Sequence, residues 1–268
     1  MKPLAEMSRE DALAVRGILC DIDETLTTRG QLTADAFSAL GRLRNAGFLT
    51  IPITGRPAGW CDHIARMWPV DAVVGENGAF YFCYDRVKRG LEKRFRDSVE
   101  IRSANRTRLL AVRDRILAGV PGAAVASDQL YREADLAIDY CEDVPRLPEA
   151  AVDQIVAIMR AAGMTAKVSS IHVNGWFGDY DKLGMTRLLL RERFETDLDG
   201  ERARFVFVGD SPNDEPMFSF FPNAVGVANI HGFAARLEHS PAFVTRAKSG
   251  AGFVELAEFL LAARGSGG

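Results

Sequence analysis

Gly17-Ile18-Leu19-Cys20-Asp21-Ile22-Asp23-Glu24-Thr25 is a short apolar run that ends abruptly in acid. The run Gly17–Cys20 predicts a buried strand, and Asp21 and Asp23 arrive as that strand stops. In an open α/β sheet, ligands sit just outside the carboxyl ends of the strands. Two carboxylates one residue apart at such a place repel each other and cost desolvation. The pattern therefore predicts a positive or electrophilic group at this edge.

Working outward, the same rhythm recurs. Thr33 predicts an N-cap, with Phe37, Leu40 and Leu43 on one helical face and Gly47 as the stop. Phe48–Ile53 reads as a second strand ending in Thr54-Gly55-Arg56-Pro57, and a helix follows to about Trp68. Asp71–Val74 reads as a third strand, ending in Gly75-Glu76-Asn77-Gly78. Late in the chain, Lys182 to about Thr196 reads helical and Arg204–Asp210 as a buried strand. Two short strands (Ala224–Val227 and Ala242–Thr245) and a helix from Gly252 to Ala263 close the chain, with the last five residues as a frayed tail. Strands alternating with helices predict a Rossmann-like, doubly wound parallel sheet.

The middle differs. Ala79–Phe95 reads as a hairpin turning at Lys88-Arg89-Gly90. Beyond it a helix-strand-strand unit occurs twice: a helix near Asn105–Ala118 with strands near Ala123–Ser127 and Leu136–Cys141, then a helix from Leu147-Pro148-Glu149 to Ala162 with two strands in Thr165–Phe177. This predicts an inserted α/β cap, an antiparallel sheet with two helices on one face. Residues 86–180 form this cap in the sequence reading, and residues 1–85 with 181–268 form the core.

Composition bounds the function. The chain has 268 residues, 47% hydrophobic and 26% charged, with a formal charge of −3. Such a charge gives no electrostatic reason to expect nucleic acid or an anionic membrane as a partner. The N-terminal stretch carries Glu6, Glu10 and Asp11 and lacks a signal-type apolar core. No stretch approaches the ~20 apolar residues of a membrane span. Cys20, Cys61, Cys83 and Cys141 form no CxxC pair, so reduced thiols in a cytoplasmic protein are expected.

The polar strand ends carry the chemistry. A parallel sheet gathers Asp21, Asp23, Thr54-Gly55-Arg56, Lys182 and Gly209-Asp210-Ser211-Pro212-Asn213-Asp214 on one edge. Two carboxylates about 5 Å apart repel by roughly 3 kcal/mol at an effective dielectric near 20. Four of them invite a hard dication such as Mg²⁺, which accepts a few carboxylates plus water and phosphate oxygens. Asp181 predicts a helix N-cap, placing Lys182 in a first turn, where a cation opposes the helix dipole unless an anion binds beside it. Leu26 and Leu32 exclude a calcium loop at the first acidic stretch, as Pro212 does at the last. No GxGxxG follows a strand and no GxxxxGK[ST] occurs.

Asp21-Ile22-Asp23-Glu24-Thr25-Leu26-Thr27, Ile53-Thr54-Gly55-Arg56, Lys182 and Gly209–Asp214 together resemble the four motifs of the haloacid dehalogenase superfamily. Glu76-Asn77-Gly78-Ala79 and Val225-Gly226-Val227-Ala228-Asn229 resemble signatures of its subfamily IIB, which includes Cof-type sugar phosphatases and sucrose phosphatases. The resemblance implies a Mg²⁺-dependent phosphatase of small phosphorylated metabolites, sugar phosphates above all. It implies that Asp21 attacks phosphorus and forms an aspartyl-phosphate, while Asp23 protonates the leaving group and then activates water. Mg²⁺ would be held by Asp21, Asp210, the Asp23 main-chain carbonyl and Asp214 nearby, and phosphate by Thr54, Gly55, Lys182 and Asn213. Glu24 replaces the family's usual glycine, and its side chain is expected to meet solvent or the cap.

Specificity is expected from the cap. Ser170, His172 and Asn174 alternate with Ile171 and Val173, giving one polar strand face, with Trp176 as a sugar-stacking candidate and Arg56 and Asn77 as further substrate contacts. A phosphomutase would need a second phosphate clamp, for which the cap offers Arg102, Arg106, Arg108, Arg113, Arg115 and Arg132. A catalytically idle metabolite-binding protein is the other alternative, against which the intact Asp21, Asp23, Lys182 and Asp210 weigh.

Overall fold

The computed structural model describes residues 1–265 of the chain. In chain order come β1 (Lys2–Pro3), α1 (Arg9–Ala14), β2 (Gly17–Cys20), the small flap β3 (Thr27–Thr28) and β4 (Gln31–Leu32), and α2 (Ala34–Asn45). Then follow β5 (Leu49–Pro52), α3 (Ala58–Met67), β6 (Val73–Gly75), β7 (Phe80–Asp85) and β8 (Gly90–Phe95). The middle holds α4 (Val99–Gly119), β9 (Ala124–Val125), β10 (Asp135–Asp139), α5 (Glu149–Ala161), β11 (Thr165–Val168) and β12 (His172–Trp176). The chain continues with α6 (Lys182–Phe194), α7 (Leu198–Glu201), β13 (Phe205–Gly209), α8 (Glu215–Phe220), β14 (Val225–Gly226), β15 (Phe243–Val244) and α9 (Ser249–Gly265).

Six strands pair in the order β1-β15-β14-β13-β2-β5, every pair parallel. All four residues of β2 are buried, as expected of a strand covered on both faces. Its side chains alternate between two cores. Ile18 and Cys20 pack with Leu40 and Leu43 of α2 and Leu256 and Leu260 of α9. Leu19 packs with Leu189 and Leu190 of α6 and Phe207 of β13 on the other face. Each such fully buried side chain contributes about 1.5–3 kcal/mol. Helices on both faces of a parallel sheet are the doubly wound arrangement that the alternating pattern predicts.

The hairpin belongs to this core. Ile53 bridges Val74 in parallel, and β6 then pairs with β7 and β7 with β8, so the sheet continues across the hairpin. A boundary at residue 86 passes between two paired strands. The second sheet, β11-β12-β10-β9, is antiparallel throughout. Its apolar face packs under α4 and α5 through Ile116, Ile138, Ile155 and Val173.

Several details differ from the sequence reading. The α4 helix starts at Val99 because Ser98 accepts from Ile101 N and caps it. In α2, Leu40 and Leu43 are buried as expected, whereas Phe37 is 39% exposed and meets Trp68 edge-on. Arg264 and Gly265 are helical rather than frayed: Arg264 donates to Val15 O (2.9 Å) and lies 3.4 Å over Phe48. Ser266–Gly268 lie outside the described residues. No helix among the described residues is long and apolar enough to cross a membrane.

Candidate active site

The strand ends converge. Asp21 follows β2, and its backbone N–H still bonds Val208 O of β13 (2.9 Å), so the carboxylate projects from the sheet's carboxyl edge. The turn beyond it is braced by Thr27, whose hydroxyl donates to Ile22 O (3.2 Å) and accepts from Glu24 N (3.0 Å). At the end of β13, Asp214 folds back so that its carboxylate accepts from Asp210 N (3.2 Å). A Cβ at Gly209 would collide with that carboxylate, so the approach requires glycine. Asp21, Asp210 and Asp214, all buried, each bring one oxygen within 4.8 Å of the others.

Lys182 completes the group. Asp181 caps α6 by accepting from Gly184 N (2.6 Å), and the Lys182 ammonium in the first turn lies 2.7 Å from both Asp21 Oδ1 and Asp214 Oδ1. It is 4% exposed, which excludes a solvated surface lysine. Gly78, at φ +107°, touches the Asp181 carbonyl so closely that no side chain would fit. That contact seats the start of α6 against the Glu76–Gly78 turn.

The electrostatics carry an imbalance. Burial pushes the Asp21 carboxyl up to about 7 against the pull of Lys182, with Asp214 and Asp23 adding to the rise. Burial, then repulsion from Asp21 and Asp214, pushes Asp210 well above the ordinary carboxylate range. For Lys182, burial works downward, but Asp21 and Asp214 outweigh it and hold the ammonium above its usual value. Asn229 Nδ2 donates to Asp210 Oδ2 (3.1 Å), while Asp210 Oδ1 is buried without a partner. Three carboxylates facing one ammonium, with one oxygen orphaned, suit a hard divalent cation.

Asp23 stands apart from the acid cluster. Its carboxylate is held by Arg56, with Nε 3.0 Å and Nη2 2.8 Å away, so its side chain is not among the gathered oxygens. Arg56 is 3% exposed, lies 4.3 Å over the Trp60 ring, and reaches into the cap to Glu142 (2.7 Å) and Asp128 (3.4 Å). The Arg56 and His172 contacts hold Glu142 at about 2, although burial works the other way. Thr54 is fully buried and accepts from Arg56 N (3.0 Å), leaving its hydroxyl proton to donate.

The cap closes over this edge. Gly55, Arg56, Asp21, Asp23, Ser211 and Asn213 of the core face Arg132, Ser169, Ser170, Ile171, His172 and Asn174 of the cap across a cavity of about 10 Å³. Ser170, His172 and Asn174 thus reach the site. His172 and Asn174 are buried rather than solvated, with His172 Nε2 2.8 Å from Glu142 and Asn174 donating to Asp135 (3.1 Å).

Two expectations need correction. Trp176 is 1% exposed, donates to Tyr180 O (3.2 Å) and stacks on the Tyr180 ring, so it packs the core and cannot stack on a sugar. Asn77 sits under Gly55 and does not line the cavity; its N–H bonds Thr54 O (3.0 Å). Glu24 is partly exposed, in keeping with the solvent alternative, and its carboxylate accepts from Ser249 Oγ (3.0 Å) and Gly30 N (3.3 Å) of the core.

The sequence reading missed residues that the fold brings in. Asn229 stands in the sequence only as the end of a signature, Arg132 only among the cap arginines, and nothing local marks Asp128, Glu142 or Ser169. Arg132 is clamped by Asp128 (2.9 Å) and Asp135 (3.0 Å) and donates to Gly55 O (2.8 Å). Glu76 is fully buried and accepts from Ala58, Glu133, Ala134 and Asp135 N–H groups at 2.6–3.2 Å, which ties the Arg132–Asp135 stretch to the core.

Neither the family models nor the curated proteins compared contain a match to this chain. Solved structures do match. A Thermoplasma acidophilum protein superposes with a TM-score of 0.68 at 18% identity, covering 92% of this chain and 98% of its own. The sucrose-phosphatase of Synechocystis, solved with sucrose and phosphate, gives 0.62 at 15% identity, over 91% and 97%. A haloacid dehalogenase-like hydrolase from Bacteroides thetaiotaomicron gives 0.62 at 14% identity, over 92% and 99%. Likeness at these identities shows the fold: a Rossmann-like core with an α/β cap, shared along nearly the whole chain.

Proposed function

We propose that the chain is a Mg²⁺-dependent phosphatase of small phosphorylated metabolites, sugar phosphates among them, working through an aspartyl-phosphate. The observation that carries this reading is the buried group of Asp21, Asp210 and Asp214 around Lys182, with Asp210 Oδ1 unpartnered. Asp21 and Asp210, the Asp23 carbonyl and Asp214 nearby would hold the cation, which supplies positive charge against the phosphoryl oxygens.

The protein's own groups account for the rest. An Asp21 carboxylate oxygen attacks phosphorus as the bond to the leaving oxygen breaks, and Asp23 gives that oxygen its proton. Asp23 then takes a proton from water, which attacks phosphorus, breaks the bond to Asp21 and releases inorganic phosphate. One hard displacement becomes two easier ones. Thr54, Lys182, Gly55 and Asn213 would hold phosphoryl oxygens, so that stabilisation of developing charge supplies most of the catalysis.

The hydroxyl-reading groups of the cap suit a polyol leaving group, and the sucrose and phosphate bound in the Synechocystis neighbour are in keeping with that. A cavity of about 10 Å³ admits no sugar phosphate. Entry therefore requires cap and core to separate, breaking Arg56–Glu142 and Arg236–Glu149, and closure would then exclude water. The mutase reading is not favoured, because Arg132, the cap arginine that lines the cavity, is already neutralised by Asp128 and Asp135. Four free cysteines, three of them buried, fit a cytoplasmic location, and we expect neither nucleic acid nor a membrane as partner.

The test is phosphate release from a panel of sugar phosphates and p-nitrophenyl phosphate, with and without Mg²⁺. Metal-dependent turnover of several of them is expected. Absence of release from every compound at millimolar concentration would instead favour an idle metabolite-binding protein.

A further inference from the structure

A second, larger cavity adjoins the catalytic one. It has a volume of about 480 Å³ and lies between α5 and β11 of the cap and the core segments Pro212–Glu215 and Phe233–Arg236. Ser169 and Asn213 line both cavities, so the two lie side by side. Its walls are partly apolar, through Leu147, Val152, Val156 and Phe233.

The charges in it are unevenly paired. Arg236 is bound to Glu149 at 2.6 Å, and Glu215 accepts from the His239 N–H. Arg146 lies over the Tyr140 ring. Lys167 has no carboxylate within ion-pairing distance among the described residues, although it is half-buried. Its register explains where it sits. Lys167 on edge strand β11 is paired with Asn174 on β12, and cross-strand partners share a sheet face. That face carries Asn174 and His172, which line the catalytic cavity, whereas Ala166 and Val168 pack with the helices on the opposite face. Lys167 is thus a half-buried lysine beside the leaving-group residues that makes no ion pair among the described residues, although Asp153 and Arg160 also line the cavity.

Resting on the phosphatase reading, we propose that the substrate is a phosphomonoester bearing a second anionic group, which extends past Ser169 into this cavity and pairs with Lys167. The second group is a carboxylate or another phosphate. Lys167 is then a specificity residue, remote from the reacting phosphorus.

Matched substrates test this. One pair is 6-phosphogluconate against glucitol 6-phosphate, and the other is fructose 1,6-bisphosphate against fructose 6-phosphate. The wild-type protein with Mg²⁺ is expected to favour the anionic member of at least one pair by about 10-fold or more in kcat/KM, mainly through KM. The pair that shows it identifies the group. Lys167→Ala should remove most of that preference and Lys167→Arg should retain it, a rescue that a merely folding-related effect would not give. Equal kcat/KM within both pairs, or an undiminished preference in Lys167→Ala, overturns the inference while hydrolysis itself upholds the phosphatase reading. No hydrolysis of any compound, p-nitrophenyl phosphate included, overturns both.

Discussion

Asp21→Asn is expected to lower phosphate release by about 10³-fold or more, because an amide cannot serve as the displacing oxygen. The fold should survive. The substitution is nearly isosteric, Lys182 keeps Asp214 at 2.7 Å, and one of three crowded carboxylates is neutralised. The melting temperature in chelator should therefore equal or exceed that of the wild type, since burial already raises Asp21 to about 7 and disfavours its charged form. Steady-state kinetics and thermal melts of the purified variant measure both. A variant retaining more than a tenth of wild-type turnover would remove Asp21 from the nucleophile's role.

Removing the dication is the second large effect. Chelation should abolish turnover, and the stabilisation that Mg²⁺ confers should depend on pH in a definite direction. Asp21 is raised to about 7 by burial and Asp210 is raised as well, whereas in the unfolded chain both titrate near 4. Between those values the folded protein binds more protons than the unfolded chain. The contribution of these two groups to metal-free stability therefore falls as pH rises through that window. A cation must displace the same protons, so the gap in melting temperature between Mg²⁺ and chelator should widen from pH 5 to pH 8. A gap that is constant or absent across this range would mean that these carboxylates do not bind the metal.

The core was readable because each chemical group sits where an apolar run turns polar. Cys20 to Asp21 and Gly209 to Asp210 are such changes, and parallel pairing of β2 with β13 then brings the two acids together. The Asp181 cap placed Lys182 in a first turn, and the fold buries it among the acids. The cap was harder. Period-two alternation correctly put His172 and Asn174 on one face, and Trp176 shares it, but at its end that face runs onto Tyr180 and becomes core. Alternation along β11 would also have marked Lys167, had Thr165–Val168 been read as an edge strand beside β12.

Long-range partners left no local trace at all. Arg56 contacts Asp23, Asp128 and Glu142 across 33, 72 and 86 residues of sequence. Glu76 accepts N–H groups 57–59 residues away, and nothing in Gly75-Glu76-Asn77-Gly78 announces that its carboxylate will be buried beneath the cap. Hydrogen bonds of this kind depend on how two sheets meet, and the periodicity of a single strand or helix carries no information about that.

The most direct test of the convergence of Asp21, Asp210 and Lys182 is a crystal structure with Mg²⁺ and beryllofluoride, which mimics a phosphoryl group on a carboxylate. The account predicts beryllofluoride bonded to an Asp21 oxygen, the cation against Asp21 and Asp210, and the Lys182 ammonium turned toward fluoride. Beryllofluoride absent from Asp21, or a cation bound away from these acids, would contradict it.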